Sequence, residues 1–157
     1  MKHVRMSVSF AIVCVLIGAV GNTTAEPLSQ EDIRTRKPFG IRMQLLGPTV
    51  IYSAYVDYFV GPQLNAEVGV GLLGMYIGGK YYFASPADEA RWFPYAGAVL
   101  YAVPAIMSAD EAIGGYVPLG IQYMANWGLT LSGEAAVVFS NRGDLKPYGA
   151  LKAGFHF

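Results

Sequence analysis

The chain has 157 residues, 54% of them hydrophobic, with eleven basic and eleven acidic side chains, two histidines and one cysteine. A balanced charge with no basic cluster excludes the electrostatic footprint of a nucleic-acid binder, and one cysteine excludes a disulfide scaffold. Only 14% of the residues are charged, well below the roughly 25–35% that a water-facing surface carries.

Lys2, His3 and Arg5 open the chain, and a largely apolar run follows from Met6 to Val20. Gly21-Asn22-Thr23-Thr24-Ala25 then ends the run in small and polar residues. These are the parts of a secretory signal peptide, and the run is too short to span a bilayer as a helix. Residues 1–25 are therefore expected to be cleaved on export. Cys14 lies inside the apolar run behind Ala11-Ile12-Val13, which is not a lipoprotein box. Without residues 1–25 the chain has 132 residues, no cysteine, and nine basic against eleven acidic side chains, a formal charge of −2. That is enough for one domain. Its longest apolar stretch, Ala96–Met107, is interrupted by Gly97 and Pro104, so no spanning helix is expected. An exported chain this apolar enters a membrane only as a closed barrel.

Glu26–Lys37 is polar and unpatterned, and residues 26–38 are expected to form a flexible periplasmic lead-in. From Phe39 onward the period is two. Strand one, Phe39–Leu46, opposes Phe39, Ile41, Met43 and Leu45 to Gly40, Arg42 and Gln44. After Gly47-Pro48, strand two (Thr49–Phe59) opposes Val50, Tyr52, Ala54, Val56 and Tyr58 to Thr49, Ser53, Tyr55 and Asp57. After Gly61-Pro62, strand three (Gln63–Leu72) opposes Leu64, Ala66, Val68, Val70 and Leu72 to Asn65, Glu67, Gly69 and Gly71. Strand four, Met75–Phe83, opposes Met75, Ile77, Tyr81 and Phe83 to Tyr76, Gly78, Lys80 and Tyr82. Strand five, Trp92–Val103, is apolar on both faces, so alternation leaves its phase open. Strand six (Gly115–Met124) turns Val117, Leu119, Ile121 and Tyr123 one way. Strand seven (Trp127–Ser140) opposes Leu129, Leu131, Ala135, Val137 and Phe139 to Thr130, Ser132, Glu134 and Ser140. The loop "NRGDLKP" precedes strand eight, Tyr148–Phe157. Eight segments of the length a tilted strand needs to cross a bilayer, joined by short turns, predict an all-β, transmembrane up-and-down antiparallel barrel over residues 39–157.

Charge decides which face is outside. The polar faces are mostly Gly, Ser, Thr, Asn and Gln, with one charge per strand at most: Arg42, Asp57, Glu67, Lys80, Glu134 and Lys152. Three of each sign suit the side-chain-filled lumen of a narrow barrel. Neighbouring strands can pair Glu67 with Lys80 and Glu134 with Lys152, with Arg42 beside strand eight across the closure. The apolar faces then meet lipid. Tyr58, Phe59, Tyr81, Phe83, Trp92, Tyr123, Trp127, Phe155 and Phe157, with Tyr82 and Phe93, sit at strand ends of one rim and read as an interfacial aromatic girdle.

A signal peptide, eight alternating segments and the final strand "ALKAGFHF" together resemble the small eight-stranded outer-membrane β-barrels of Gram-negative bacteria, the OmpA-transmembrane-domain, OmpX and OmpW type. The resemblance covers Phe39–Phe157. It implies outer-membrane localisation, both termini in the periplasm, and a terminal strand read by the barrel-assembly machinery through Leu151, Phe155 and Phe157. The glycine often found five places before the family's end is Lys152 here.

No cofactor is expected, and no ligand is assignable beyond the lipid bilayer. A metal site lacks its donors, with one histidine outside the signal peptide and no clustered carboxylates. Asp88-Glu89 and Asp110-Glu111 read as solvated loop pairs. "GVGLLG" lacks the lysine and helix of a phosphate loop. Ser132 and Glu134 have no base beside them, and His156 reads as an interfacial residue on the periplasmic rim, away from lipid A. The expected function is a structural or interaction role without catalysis. A small gated channel or a lateral path for a hydrophobic ligand is the first alternative, and a lipid-modifying enzyme the disfavoured second.

Overall fold

The computed structural model describes residues 32–47, 51–83, 91–104, 112–141 and 145–157. The expected signal peptide and the acidic pairs Asp88-Glu89 and Asp110-Glu111 lie outside them. Alternating, β-branched and aromatic sequence forms β1 (Phe39–Leu46), β2 (Tyr52–Gly61), β3 (Leu64–Gly71), β4 (Gly74–Tyr82), β5 (Trp92–Val103), β6 (Ala112–Met124), β7 (Leu129–Ser140) and β8 (Leu145–His156). Each strand pairs with the next in an antiparallel ladder, and β1 pairs with β8 from Gly40↔His156 to Leu46↔Ala150. The sheet closes as an eight-stranded meander, which removes every edge.

Burial is inverted relative to a water-soluble barrel. Ile41, Met43, Leu45, Val68, Val70, Ile77, Leu119 and Leu151 point outward and are exposed, while Arg42, Gln44, Asn65, Glu67, Lys80, Gln122 and Lys152 are buried. An apolar outside around a polar inside is the arrangement that suits hydrocarbon.

Pairing, not periodicity, sets several boundaries. β6 and β8 start earlier than alternation alone suggests, because β5 extends β6 to Val103↔Ala112 and β7 extends β8 to Phe139↔Leu145. Trp127 belongs to the turn before β7, where Gly128 takes a φ of +107° and donates its N–H to the Ala125 carbonyl at 2.8 Å. Pairing also resolves β5: Phe93, Tyr95, Val99 and Tyr101 turn inward, and Trp92 and Leu100 turn outward. Tyr95 lies opposite Gly120, and a Cβ on that glycine would come within 2.6 Å of the Tyr95 ring. Gly120→Val is therefore expected to destabilise the barrel by about 1–3 kcal/mol through overpacking. Outward Gly133, whose added Cβ would meet nothing nearer than 3.6 Å, serves as the control, with Gly133→Val close to neutral in urea unfolding.

Of the lead-in expected to be flexible, residues 26–31 lie outside the described residues, and residues 32–38 contain an ordered turn. Ile33–Arg36 forms one helical turn, α1, capped by the Asp32 carboxylate, which accepts from the Arg34 N–H at 2.8 Å. Ile33 and Arg34 are buried against the barrel end where β1 begins and β8 finishes, the terminal rim.

Candidate functional site

The lumen is the candidate site, since every charge on the strands' inner faces converges there. Asp57, Glu67 and Lys80 come from β2, β3 and β4, and Arg42, Glu134 and Lys152 from β1, β7 and β8; all six are buried. Lys80 donates to Glu67 in a direct ion pair. Lys152 lies 3.0 Å from Glu134 Oε1 and 3.8 Å from Glu67 Oε2, which joins the two pairs into one chain. Glu134 also accepts from the hydroxyls of Tyr95 at 2.7 Å and Tyr116 at 2.6 Å. Arg42 reaches across the lumen rather than along it, donating to Gln122 Oε1 and Ser132 Oγ at 2.6 Å each. Its nearest carboxylate is Asp57 at 3.9 Å. Charges held this way offset their desolvation only because each has a partner.

Tyr55 is a hub that the charge count did not reveal. Its ring faces the Arg42 guanidinium at 5.5 Å, the Lys80 ammonium at 5.4 Å and the Lys152 ammonium at 5.3 Å. Cations attract the negative face of such a ring, more so when desolvated. Gly69 lets the neighbouring Tyr76 ring pack beside it, since an added Cβ would lie within 2.6 Å of that ring and 2.7 Å from Tyr55 Cβ.

His156 is not the interfacial residue that its rim position suggests. It is 1% exposed, and its Nε2 lies 3.2 Å from Asp57 Oδ2. Strict alternation places it opposite Phe155 and Phe157, which face outward. The same rule corrects the girdle. Tyr58, Phe83, Trp92, Trp127, Phe155 and Phe157 are exposed outside, with Tyr81 and Tyr123 half-buried among them. Trp92 packs on Tyr123 at 5.0 Å, and Trp127 on Phe155 at 5.3 Å. Phe59, Tyr82 and Phe93 instead turn inward and are buried.

Two aromatic layers bracket the ionic layer. Toward the distal rim, opposite the termini, Tyr55, Tyr76, Val99, Tyr101, Tyr116 and Ala136 pack together. At the terminal rim Phe59, Tyr82, Phe93, Tyr95 and Met124 form the second layer, and Ile33 of α1 completes it. The Arg34 guanidinium sits 4.3 Å above the Phe93 ring and pairs with Asp32 at 2.6 Å. Burying Ile33 contributes about 2 kcal/mol, the Asp32 cap about 1 and the cation–π contact about 1–2. Fixing four backbone residues costs about 4–8 kcal/mol. The contacts are thus of the same order as the ordering cost of the turn.

Chemically, the arrangement neutralises itself. Among the described residues no three histidine, cysteine or acidic side chains gather as metal ligands. The Ser132 hydroxyl accepts from Arg42, and His156 addresses Asp57.

No family model matches the chain, and no curated protein matches it in sequence. Among solved structures, it is similar to the N-terminal β-barrel domain of Pseudomonas aeruginosa OprF, with a TM-score of 0.55 at 14% identity over 76% of this chain and 95% of that one. The likeness is one of fold. The chain has an outer-membrane-type, eight-stranded β-barrel fold.

Proposed function

We propose that the protein is an integral outer-membrane barrel with a structural or interaction role, a salt-bridged and side-chain-filled lumen, and no catalysis. One observation carries this reading: a continuous exposed apolar belt surrounds an interior whose charges are buried and paired with one another. Eight strands leave an interior that side chains can fill, whereas an aqueous channel takes about 16–18 strands. The fold likeness and the export signal expected in residues 1–25 support the outer membrane as its site. Leu151 and Phe157, both exposed on the outer face of the closing strand, support its reading by an assembly machinery together with Phe155.

The test is heat-modifiability. Protein extracted from outer membranes should migrate differently on a gel before and after boiling. Recovery in the soluble periplasmic fraction with no shift would sink the proposal. In planar bilayers the folded protein should show no stepwise conductance; regular steps would favour the gated channel. A lipid A mass change on expression would revive the enzyme.

A further inference from the structure

We infer, on the bilayer reading of the outer belt, that the distal rim is stepped and that its low side, the distal ends of β1–β4, is a ledge for the acyl chains of the distal leaflet. β1–β4 have 8, 10, 8 and 9 residues, and β5–β8 have 12, 13, 12 and 12. Exposed Tyr58 and Phe83 mark the terminal rim on the short half, and exposed Trp92 and Phe155 mark it on the long half. The surplus length therefore lies at the distal end. The closing ladder carries the same step: it ends at Leu46↔Ala150, and β8 runs five residues beyond, from Gly149 to Leu145. At about 3.3 Å per residue and a tilt of about 45°, the short strands rise roughly 19–23 Å and the long ones roughly 28–30 Å. The apolar band of a membrane barrel is about 25 Å tall. The long half crosses that band, and the short half ends inside it.

The residues at the low rim match that depth. Residues 47–51 and 72–73, which join β1 to β2 and β3 to β4, contain no charged side chain. The connections on the high side, residues 104–111 and 141–144, carry Asp110, Glu111, Arg142 and Asp144. Leu46, Ile51, Tyr52, Val70, Leu72 and Met75 surround the low rim and are 46–62% exposed. The backbone there is tied as hydrocarbon requires: the Leu46 N–H donates to the Ile51 carbonyl at 2.7 Å, and the Leu72 N–H to the Tyr52 carbonyl at 3.3 Å. An uncharged apolar surface continuous with the outer belt fits acyl chains rather than headgroups or water.

Nitroxide labels on single cysteines test the ledge in a Cys14→Ser chain folded into dioleoyl phosphatidylcholine vesicles. The readout is collision with oxygen, which concentrates in hydrocarbon, against collision with a polar nickel chelate, which stays in water. Labels at Leu72→Cys and Ile51→Cys should match one at mid-belt Leu119→Cys. Their oxygen-to-chelate ratio should exceed by about tenfold that at Asn141→Cys, an exposed position just past β7. Ledge labels as open to the chelate as Asn141, with Leu119 still oxygen-rich, would overturn the ledge and leave the bilayer reading standing. A Leu119 label open to the chelate would sink that reading and the ledge with it. Shielding of the ledge labels from both agents, with line broadening between labels, would mean that a second copy covers the rim, which also overturns the inference. Should Leu72→Cys fail to fold by gel shift, Ile51→Cys decides.

Discussion

Glu134→Ala is expected to destabilise the barrel by about 3–5 kcal/mol, the penalty for removing one partner of a buried ion pair. Three groups lose their acceptor at once: Lys152, 3.0 Å from Oε1, and the hydroxyls of Tyr116 and Tyr95. Lys152 retains only Glu67 at 3.8 Å, a carboxylate already engaged with Lys80. The two tyrosines cannot turn to solvent, being 1% exposed each. Urea unfolding in detergent micelles, scored by gel shift, measures the loss. Glu134→Ala/Lys152→Met should recover part of it, since removing both charges avoids the unpaired cation and leaves a positive coupling in the cycle. Exposed Arg36→Ala should stay within about 0.5 kcal/mol of the unaltered protein. A midpoint for Glu134→Ala equal to that of Arg36→Ala would show that the pair contributes nothing.

The closed barrel was legible because alternation is a local property. Ile41-Arg42-Met43-Gln44 assigns its own faces, and once Lys80 and Glu67 share the inner face of adjacent strands their meeting follows from topology. What was not legible depends on side chains several strands apart. Arg42 bonds Gln122 and Ser132, 80 and 90 residues away, and no neighbour-strand rule brings β1 to β6. The phase of β5 needed the register, since Phe93 and Tyr95 look no more internal than Trp92 and Leu100 until Tyr95 is set opposite Gly120. Two signals were present but outweighed. The alternation that sends Tyr58 outward must send Phe59 inward, and Phe155 and Phe157 fix His156 between them on the lumen side. In both cases, proximity to the rim stood in for facing. Ile33 carried no periodic signal at all, because its burial exists only after the barrel end has formed around it.

The outer face admits a test as decisive as the inner one. Leu119→Arg is expected to lower stability in lipid vesicles by about 2–4 kcal/mol, the loss for a cation on the lipid face near the bilayer midplane. Leu119 is 62% exposed and lies mid-strand in β6, opposite Ala96 of β5 and Ala135 of β7. In water an exposed Leu→Arg exchange would be nearly silent, so the size of the effect measures the solvent that the belt meets. Depth supplies the internal control. Phe83, 57% exposed and just past the end of β4 at the terminal rim, falls where arginine reaches the interface, and Phe83→Arg should lose only about 0–1 kcal/mol. A large penalty at Leu119 with a small one at Phe83 fits a bilayer with the aromatic ring at its boundary. Equal small penalties would mean that this belt faces water or another protein surface. The inner charges would then need a different explanation, because a barrel in water gains nothing by burying Arg42, Lys80 and Lys152 while leaving Leu119 outside.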